Sequence, residues 1–124
     1  MTDVERIDDN EIILRHIPGG EPWQIAGPRL TSANFHLRKG EAGVSVNRAS
    51  LTTPEELLQR VGGDFARGSR IAAARVGDVR ALGLAVVPAE RPGDAGHAEI
   101  RSDRERLDRR ATQKRLANLF RFSA

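Results

Sequence analysis

The chain has 124 residues and no cysteine, and it carries a formal net charge of +3 with a sequence pI of about 10.5. This length predicts one domain with one core. The lack of cysteine excludes disulfide frameworks, thiol nucleophiles, iron–sulfur clusters and cysteine-containing zinc sites. No apolar run approaches the roughly 18 residues of a membrane span, and the acidic start lacks the features of a secretory signal, so we expect a cytoplasmic protein.

The charges are distributed unevenly between the two ends of the chain. Residues 1–11 carry five acidic side chains against Arg6, whereas residues 101–121 carry seven Arg and one Lys against three acidic side chains. We assign residues 1–10 to an acidic terminal segment that could be flexible, and residues 11–124 to a single domain. The basic end predicts an acidic partner, either an acidic protein surface or a nucleic-acid backbone, although it could also pair with the acidic end.

Strands are predicted in the first half from its β-branched and alternating apolar residues. Residues 11–17, EIILRHI, indicate a first strand that stops at a Pro-Gly-Gly turn. A weaker strand is expected from about 29 to 37. A clearer one is expected at 43–48, where Val44 and Val46 share one face.

A helix start follows in the sequence TTPEELLQRVGG. Thr53 can cap the helix, Pro54 suits its first position, and Glu56 completes a capping box with Thr53. Gly62 and Gly63 predict the end of this helix after about two turns.

The second half predicts two more strands and a closing helix. Residues 70–88 indicate a hairpin, because two apolar runs flank Gly77 and Asp78, a pair that suits a tight turn; the Ala-rich first arm also fits a helix. A late strand is expected at 97–102, and a helix at 103–122. The predicted fold class is therefore α+β, a mainly antiparallel sheet with one short middle helix and a basic C-terminal helix.

The terminal helix carries a predicted binding surface. Arg106, Arg110 and Lys114 follow one another at steps of four, and Arg121 lies close to the same line, so their charges form a stripe. The plain interpretation is a solvated helix face. The functional interpretation is a contact surface for an acidic protein or a nucleic-acid backbone. A broad platform for base stacking is not expected, since the chain has one Trp, four Phe and no Tyr.

The late strand carries the candidate reaction centre. His97 and Glu99 lie on one face of this strand, so the carboxylate can orient the imidazole. If the predicted strands are neighbours, His36 joins them, and Arg15 or Arg48 can stabilise a phosphate anion. Such a set is sufficient for metal-independent phosphodiester cleavage. The alternative is that each histidine makes a single hydrogen bond at a strand edge or in a loop.

A metal centre is a variant of the same grouping. His16, His36 and His97, or two of them with Glu99, could supply the ligands, but the His-Glu-x-x-His spacing typical of zinc enzymes is missing. The His-x-Glu pattern of the late strand is similar to that of the zinc deaminases, which also need a Pro-Cys-x-x-Cys element that a chain without cysteine lacks. We therefore predict no metal and no cofactor.

A second resemblance rests on three separate positions. Arg15 in LRHIP, Ser32 in LTSANF and Glu99 in HAEI loosely resemble the Arg, Ser and Glu set of ADP-ribosyl-transferring toxins, with each residue expected on a strand. This resemblance implies a toxin-like effector, but the chain departs from the family in its few aromatic residues for the nicotinamide side.

The sequence thus leads to two functional hypotheses. The first is a macromolecule-binding module or accessory subunit that contacts an acidic protein or nucleic acid through its basic C-terminal helix. The alternative is a small metal-independent ribonuclease or toxin-like effector with a centre at His97 and Glu99.

Overall fold

A computed structural model describes residues 6–24, 30–61 and 68–123 of the chain. Within them, six strands form one antiparallel sheet in the order β4, β5, β2, β1, β3, β6. The strands are β1 (Ile12–Ile17), β2 (Val44–Arg48), β3 (Arg70–Arg75), β4 (Ala85–Pro88), β5 (His97–Arg101) and β6 (Arg121–Ser123). The helices are α1 (Pro54–Val61), α2 (Val76–Ala81), α3 (Arg104–Asp108) and α4 (Arg110–Leu119), with a 3-10 turn at Ser32–Phe35. This architecture confirms the predicted α+β class with an antiparallel sheet.

The main core lies on one face of the sheet, under α2, α3, α4 and the 3-10 turn. Alternate residues of each strand point to this face, and the helices add apolar side chains at helical spacing. Its fully buried members include Ile13, Ile17, Phe35, Val44, Val46, Val76, Val79, Ile100, Leu107, Leu116 and Phe120. A smaller cluster of Leu14, Leu57 and Ile71 lies on the other face, under α1. The larger part of that second face is therefore left to polar side chains.

The start of α1 follows the predicted capping box. The Glu56 backbone N–H donates to Thr53 Oγ1 at 3.1 Å, and the Thr53 hydroxyl donates to Glu56 Oε1 at 3.2 Å. Pro54 is the first residue of the helix, as expected. The predicted stop at Gly62 and Gly63 lies outside the described residues.

The predicted hairpin over residues 70–88 is wrong. β3 pairs with β1 and β6, whereas β4 pairs with β5 at the far edge of the sheet, and α2 connects them. Val76 and Val79 are both fully buried at a spacing of three, which fits a helix on the core and not a strand. Gly77 is the second residue of α2 instead of a hairpin turn, and its backbone N–H donates to Asp9 O at 2.8 Å.

The single C-terminal helix predicted over residues 103–122 is also wrong. It is divided at Arg109, whose backbone is extended, and the chain after α4 forms the edge strand β6. The buried Gln113 side chain donates to Leu107 O at 3.1 Å, which satisfies a carbonyl left free where α3 ends. Phe120 then enters the core in an extended conformation and directs the chain onto β3.

The weak strand expected from about 29 to 37 is wrong over its central residues. Residues 32–35 form the 3-10 turn, in which Asn34 and Phe35 are buried. Arg29 lies outside the described residues. The turn packs against α4 through the contact of Phe35 with Phe120, whose ring centroids are 5.1 Å apart.

Candidate functional site

The sheet opens between its two central strands. β1 and β2 pair at Ile13–Arg48 and Leu14–Asn47 only. Beyond this point β1 stays paired with β3, while β2 stays paired with β5 as far as Val44. The separation leaves backbone groups of both strands without ladder partners, and such groups need other hydrogen bonds when they are covered.

Arg15 occupies the opening between β1 and β2. Its Nη1 donates to Ser45 O at 2.6 Å and its Nε donates to Asn34 O at 2.7 Å, so one guanidinium joins β1, β2 and the 3-10 turn. Its guanidinium carbon lies 5.5 Å from the centroid of the Phe35 ring. Burial lowers the pKa of Arg15 to about 10, with Glu41 raising it and Arg38 lowering it. Arg15 is therefore still a cation at neutral pH.

A cleft of about 680 Å³ lies at this opening. Its walls come from β1, β2, the segment 33–41, the apolar residues Pro18, Pro22, Trp23 and Leu57, and Arg91 of the connection between β4 and β5. Its charged and titratable side chains are Arg15, Arg38, Arg91, His16, His36 and Glu41. Three arginines against one carboxylate give the cleft a positive character, which favours anionic ligands.

His16 is held at the wall of the cleft by a serine. Its Nε2 lies 2.8 Å from Ser69 Oγ, and both side chains are partly buried. Burial lowers the pKa of His16, and Arg15 lowers it further, so the imidazole is neutral at neutral pH. The sequence shows no base near Ser69, because His16 precedes it by 53 positions. The two residues meet only through the pairing of β1 with β3, in which His16 lies opposite Ile71.

The lowered pKa of His16 predicts a pH-dependent stability. The unfolded chain protonates His16 below its ordinary pKa of about 6.5 while the folded chain stays neutral. The free energy of unfolding should therefore fall as the pH drops from about 6.5 towards the lowered folded pKa of His16. Replacement of His16 by Gln should reduce this dependence, as measured by urea denaturation at about pH 7.5 and about pH 5.5. An equal change of the free energy of unfolding with pH in both proteins would contradict the prediction. The carboxylates and the other histidines are the same in both proteins, so their contributions cancel in the comparison.

A polar network supports the floor of the cleft beside β2. The Asn47 side chain donates from Nδ2 to Asp94 Oδ1 at 2.9 Å, and Asp94 pairs with Arg60 of α1 at 2.8 Å. The backbone groups of Arg91 and Asp94 bond to each other in both directions. The connection between β4 and β5 is thereby tied to β2 and α1, which positions Arg91 at the cleft.

Two of the predicted catalytic residues line this cleft and two do not. Arg15 and His36 line it, and His36 is exposed. His97 is buried, and its Nδ1 lies 2.7 Å from Ala89 O. Glu99 is buried and pairs with Arg101 at 2.7 Å. His97 lies opposite Asn47 in the sheet register, one strand away from the cleft wall. A joint role of the four residues in catalysis stays a prediction.

The remaining candidates of the sequence are placed in separate contacts. Arg48 is buried and pairs with Glu11 at 2.9 Å, away from the cleft lining. Of the three positions that resemble the ADP-ribosyl-transferring toxins, Arg15 lines the cleft, Ser32 lies in the 3-10 turn instead of a strand, and Glu99 lies on β5.

The four residues of the predicted basic stripe fall into two groups, two that bind backbone carbonyls and two that are exposed without ion pairs to described residues. Arg106 is half-buried and donates to Leu82 O at 3.1 Å, and Arg121 lies on β6 and donates to Phe120 O at 3.0 Å. Arg110 and Lys114 are exposed on α4 and form no ion pair with a described residue. Arg115, which was not part of the predicted stripe, is likewise exposed on α4.

Sequence reasoning missed Arg38 and Arg91 as site residues. Both are exposed arginines in connections between strands, and no motif or periodicity marks them. Asn47 was missed as well, although the polar alternation of β2 places it with Ser45 on the face that the cleft occupies.

Comparison of the chain with protein-family models, curated proteins and solved structures found no match. In the described ranges, no helix has the length and hydropathy that crossing a bilayer requires. Over the same ranges, no three His, Asp or Glu side chains are grouped as ligands for a metal ion.

Proposed function

We propose that this chain binds a phosphate-bearing ligand in the cleft between β1 and β2. The observation that carries the proposal is the convergence of three arginines on one cleft with a single opposing carboxylate. Guanidinium groups recognise phosphate through paired, charge-assisted hydrogen bonds. The cleft volume of about 680 Å³ lies within the range of about 300–1,000 Å³ that small-ligand sites occupy.

Arg38 and Arg91 are the arginines best placed to bind the phosphate. Both are exposed, and the side chain of neither makes a hydrogen bond or ion pair with a described residue. Arg15 has two of its donors engaged with carbonyls and contributes mainly a fixed positive charge. One oxygen of the opposing Glu41 carboxylate is already hydrogen-bonded, because Oε1 accepts from the Arg38 backbone N–H at 2.6 Å.

The proposal predicts that removal of the two exposed arginines abolishes most of the binding. Ribose 5-phosphate, titrated into the protein by isothermal calorimetry, should bind the Arg38→Ser/Arg91→Ser variant more than about tenfold more weakly. Each charge-assisted hydrogen bond contributes about 1.5–3 kcal/mol before solvent screening. The fold should be unchanged, because both side chains are exposed.

The matched control is Arg110→Ser/Arg115→Ser, which removes two equally exposed arginines from α4. This variant should bind ribose 5-phosphate as the native chain does. Equal affinity of the native chain and the cleft variant, or an equal loss in both variants, would contradict the proposal.

The exposed face of α4 is a second candidate, for contact with nucleic acid along its phosphate backbone. Arg110, Lys114 and Arg115 are exposed on one helix without ion pairs to the described residues. Such cations can each replace a condensed counterion on a polyanion, and binding of this kind weakens steeply with salt. The contact needs no cavity, so it is compatible with the cleft proposal.

Substitution of Arg110, Lys114 and Arg115 by Ser should weaken binding of a labelled single-stranded RNA in an anisotropy titration. The slope of log affinity against log salt should become shallower by about 2, because each phosphate that a cation neutralises on a single strand accounts for about 0.7 of the slope. The control is Arg6→Ser/Arg75→Ser, which removes two exposed arginines outside both surfaces. An unchanged slope in the α4 variant would remove this helix as a nucleic-acid contact.

A further inference from the structure

One aromatic ring lies in the wall of the cationic cleft. Trp23 is the single tryptophan of the chain, and it lines the cleft together with Pro18 and Pro22. It is half-buried, and part of its side chain packs against the main core. The cleft therefore has an apolar region with an indole beside the arginines that we assign to phosphate.

The backbone around Trp23 is held by several hydrogen bonds. The buried Asn34 side chain donates from Nδ2 to Trp23 O at 2.9 Å. The next residue, Gln24, donates from its backbone to Gly20 O at 2.8 Å and from its side chain to Pro18 O at 3.0 Å. These bonds fix the backbone at Trp23, and the packing of its side chain against the core limits the rotamers of the ring, so a flat ligand can stack on it without a large loss of conformational entropy.

The other described aromatic rings are occupied. Phe35 and Phe120 are fully buried and contact each other. The Phe122 ring is covered by Arg70, whose guanidinium carbon lies 3.7 Å from the ring centroid. Among the described rings, Trp23 is thus the one that lines the cleft.

We infer, on the basis of the proposed function, that the ligand is a single nucleotide unit whose base stacks on Trp23 and whose phosphate contacts Arg38 and Arg91. A nucleotide combines the two groups that the cleft can bind, a flat aromatic base for the indole and a phosphate anion for the arginines. Base stacking on an aromatic side chain adds affinity and tolerates different bases. A cleft with one aromatic ring offers a stacking position for one base, either of a free nucleotide or of the end of a strand, and not for a continuous run of bases.

The single tryptophan allows a direct test on the native chain. AMP and ribose 5-phosphate share the phosphate and the ribose, so their difference isolates the base. AMP should bind at least about fivefold more tightly, as expected from the lower end of stacking energies. AMP should also quench the fluorescence of Trp23, whereas saturating ribose 5-phosphate should leave the emission within about a tenth of its starting value, because it lacks a base to stack on the indole.

Substitution at Trp23 provides the second arm of the test. Trp23→Leu should lose the preference for AMP, measured as the ratio of the affinities of this variant for AMP and for ribose 5-phosphate. Trp23→Phe should retain part of that preference, because it keeps a ring. The control Phe122→Leu changes a half-buried ring outside the cleft and should keep both the preference and the quenching.

The outcomes separate this inference from the proposed function. If ribose 5-phosphate binds but AMP binds no more tightly and causes no quenching, the stacking on Trp23 is wrong and the phosphate cleft stands. If neither compound binds the native chain, both proposals fail. If Trp23→Leu keeps the full preference for AMP, the base lies elsewhere in the cleft and the inference is overturned.

Discussion

Replacement of Phe120 by Ala should lower the free energy of unfolding by about 3–5 kcal/mol, the range for loss of a fully buried aromatic side chain. Phe120 is completely buried, and its ring contacts Phe35 with centroids 5.1 Å apart. The substitution removes this ring pair and leaves a cavity between α4 and the 3-10 turn. Urea denaturation monitored by circular dichroism measures the change directly.

The control for Phe120 is Phe122→Ala, two residues further on the edge strand β6. Phe122 is half-buried under Arg70, so its truncation should cost clearly less than that of Phe120. A loss at Phe120 below about 1 kcal/mol would mean that the α4 end does not hold the 3-10 turn. This turn carries Asn34 of the cleft wall, so the same contact holds one wall of the cleft against the core.

Replacement of Arg15 by Leu should destabilise the fold by about 2–5 kcal/mol. The substitution removes the donors that now reach Ser45 O and Asn34 O at 2.6 and 2.7 Å. A hydrogen bond to a charged group contributes about 1.5–3 kcal/mol, and less where water can replace the donor, as it can at these part-buried bonds. It also removes the cation beside the Phe35 ring. Denaturant unfolding gives the stability of the variant, and calorimetry at low denaturant gives its affinity for ribose 5-phosphate, which should fall.

Arg15→Lys is the matched variant for this position. It keeps the charge but lacks the planar fork that reaches two carbonyls at once, so it should recover binding better than stability. A stability of Arg15→Leu equal to that of the native chain would contradict the role of this guanidinium in bridging the opening of the sheet.

The elements that the sequence predicts well are those specified by neighbouring residues. The cap at Thr53 and Glu56 depends on a spacing of three, and the structure has it. The alternation of Val44 and Val46 places β2 correctly, because one face of that strand is buried. The spacing of neighbouring residues is therefore enough to predict these elements.

The elements that the sequence mispredicts depend on distant partners. Gly77 and Asp78 are suitable for a tight turn, but the carbonyls of the N-terminal segment bind the backbone at this point and start a helix. No local feature of the sequence around Arg109 indicates a helix break. The break is stabilised by Gln113, whose side chain donates to Leu107 O, a carbonyl left free at the end of α3. The short strand β6 depends likewise on its pairing with β3.

The cleft could not be predicted because it arises from the order of the strands. His16 and His36 come together only because β1 and β2 are adjacent and then separate. Arg91 joins them from a connection more than fifty residues away in the chain, fixed by the network of Asn47 and Asp94. No spacing in the sequence predicts that His16, His36 and Arg91 lie close together. The predicted centre of His97 and Glu99, in contrast, was based on the spacing within one strand.

The measurement that tests the central proposal most directly is a titration of the ¹⁵N-labelled chain with ribose 5-phosphate, followed by amide chemical shifts. A phosphate bound between β1 and β2 should shift the amides of Ser45, Asn47, Arg91 and the segment 36–41, while those of α4 stay in place. The Arg38→Ser/Arg91→Ser variant should show none of these shifts at the same ligand concentration. No shifts in the native chain, or shifts confined to α4, would contradict the assignment of this cleft as the phosphate site.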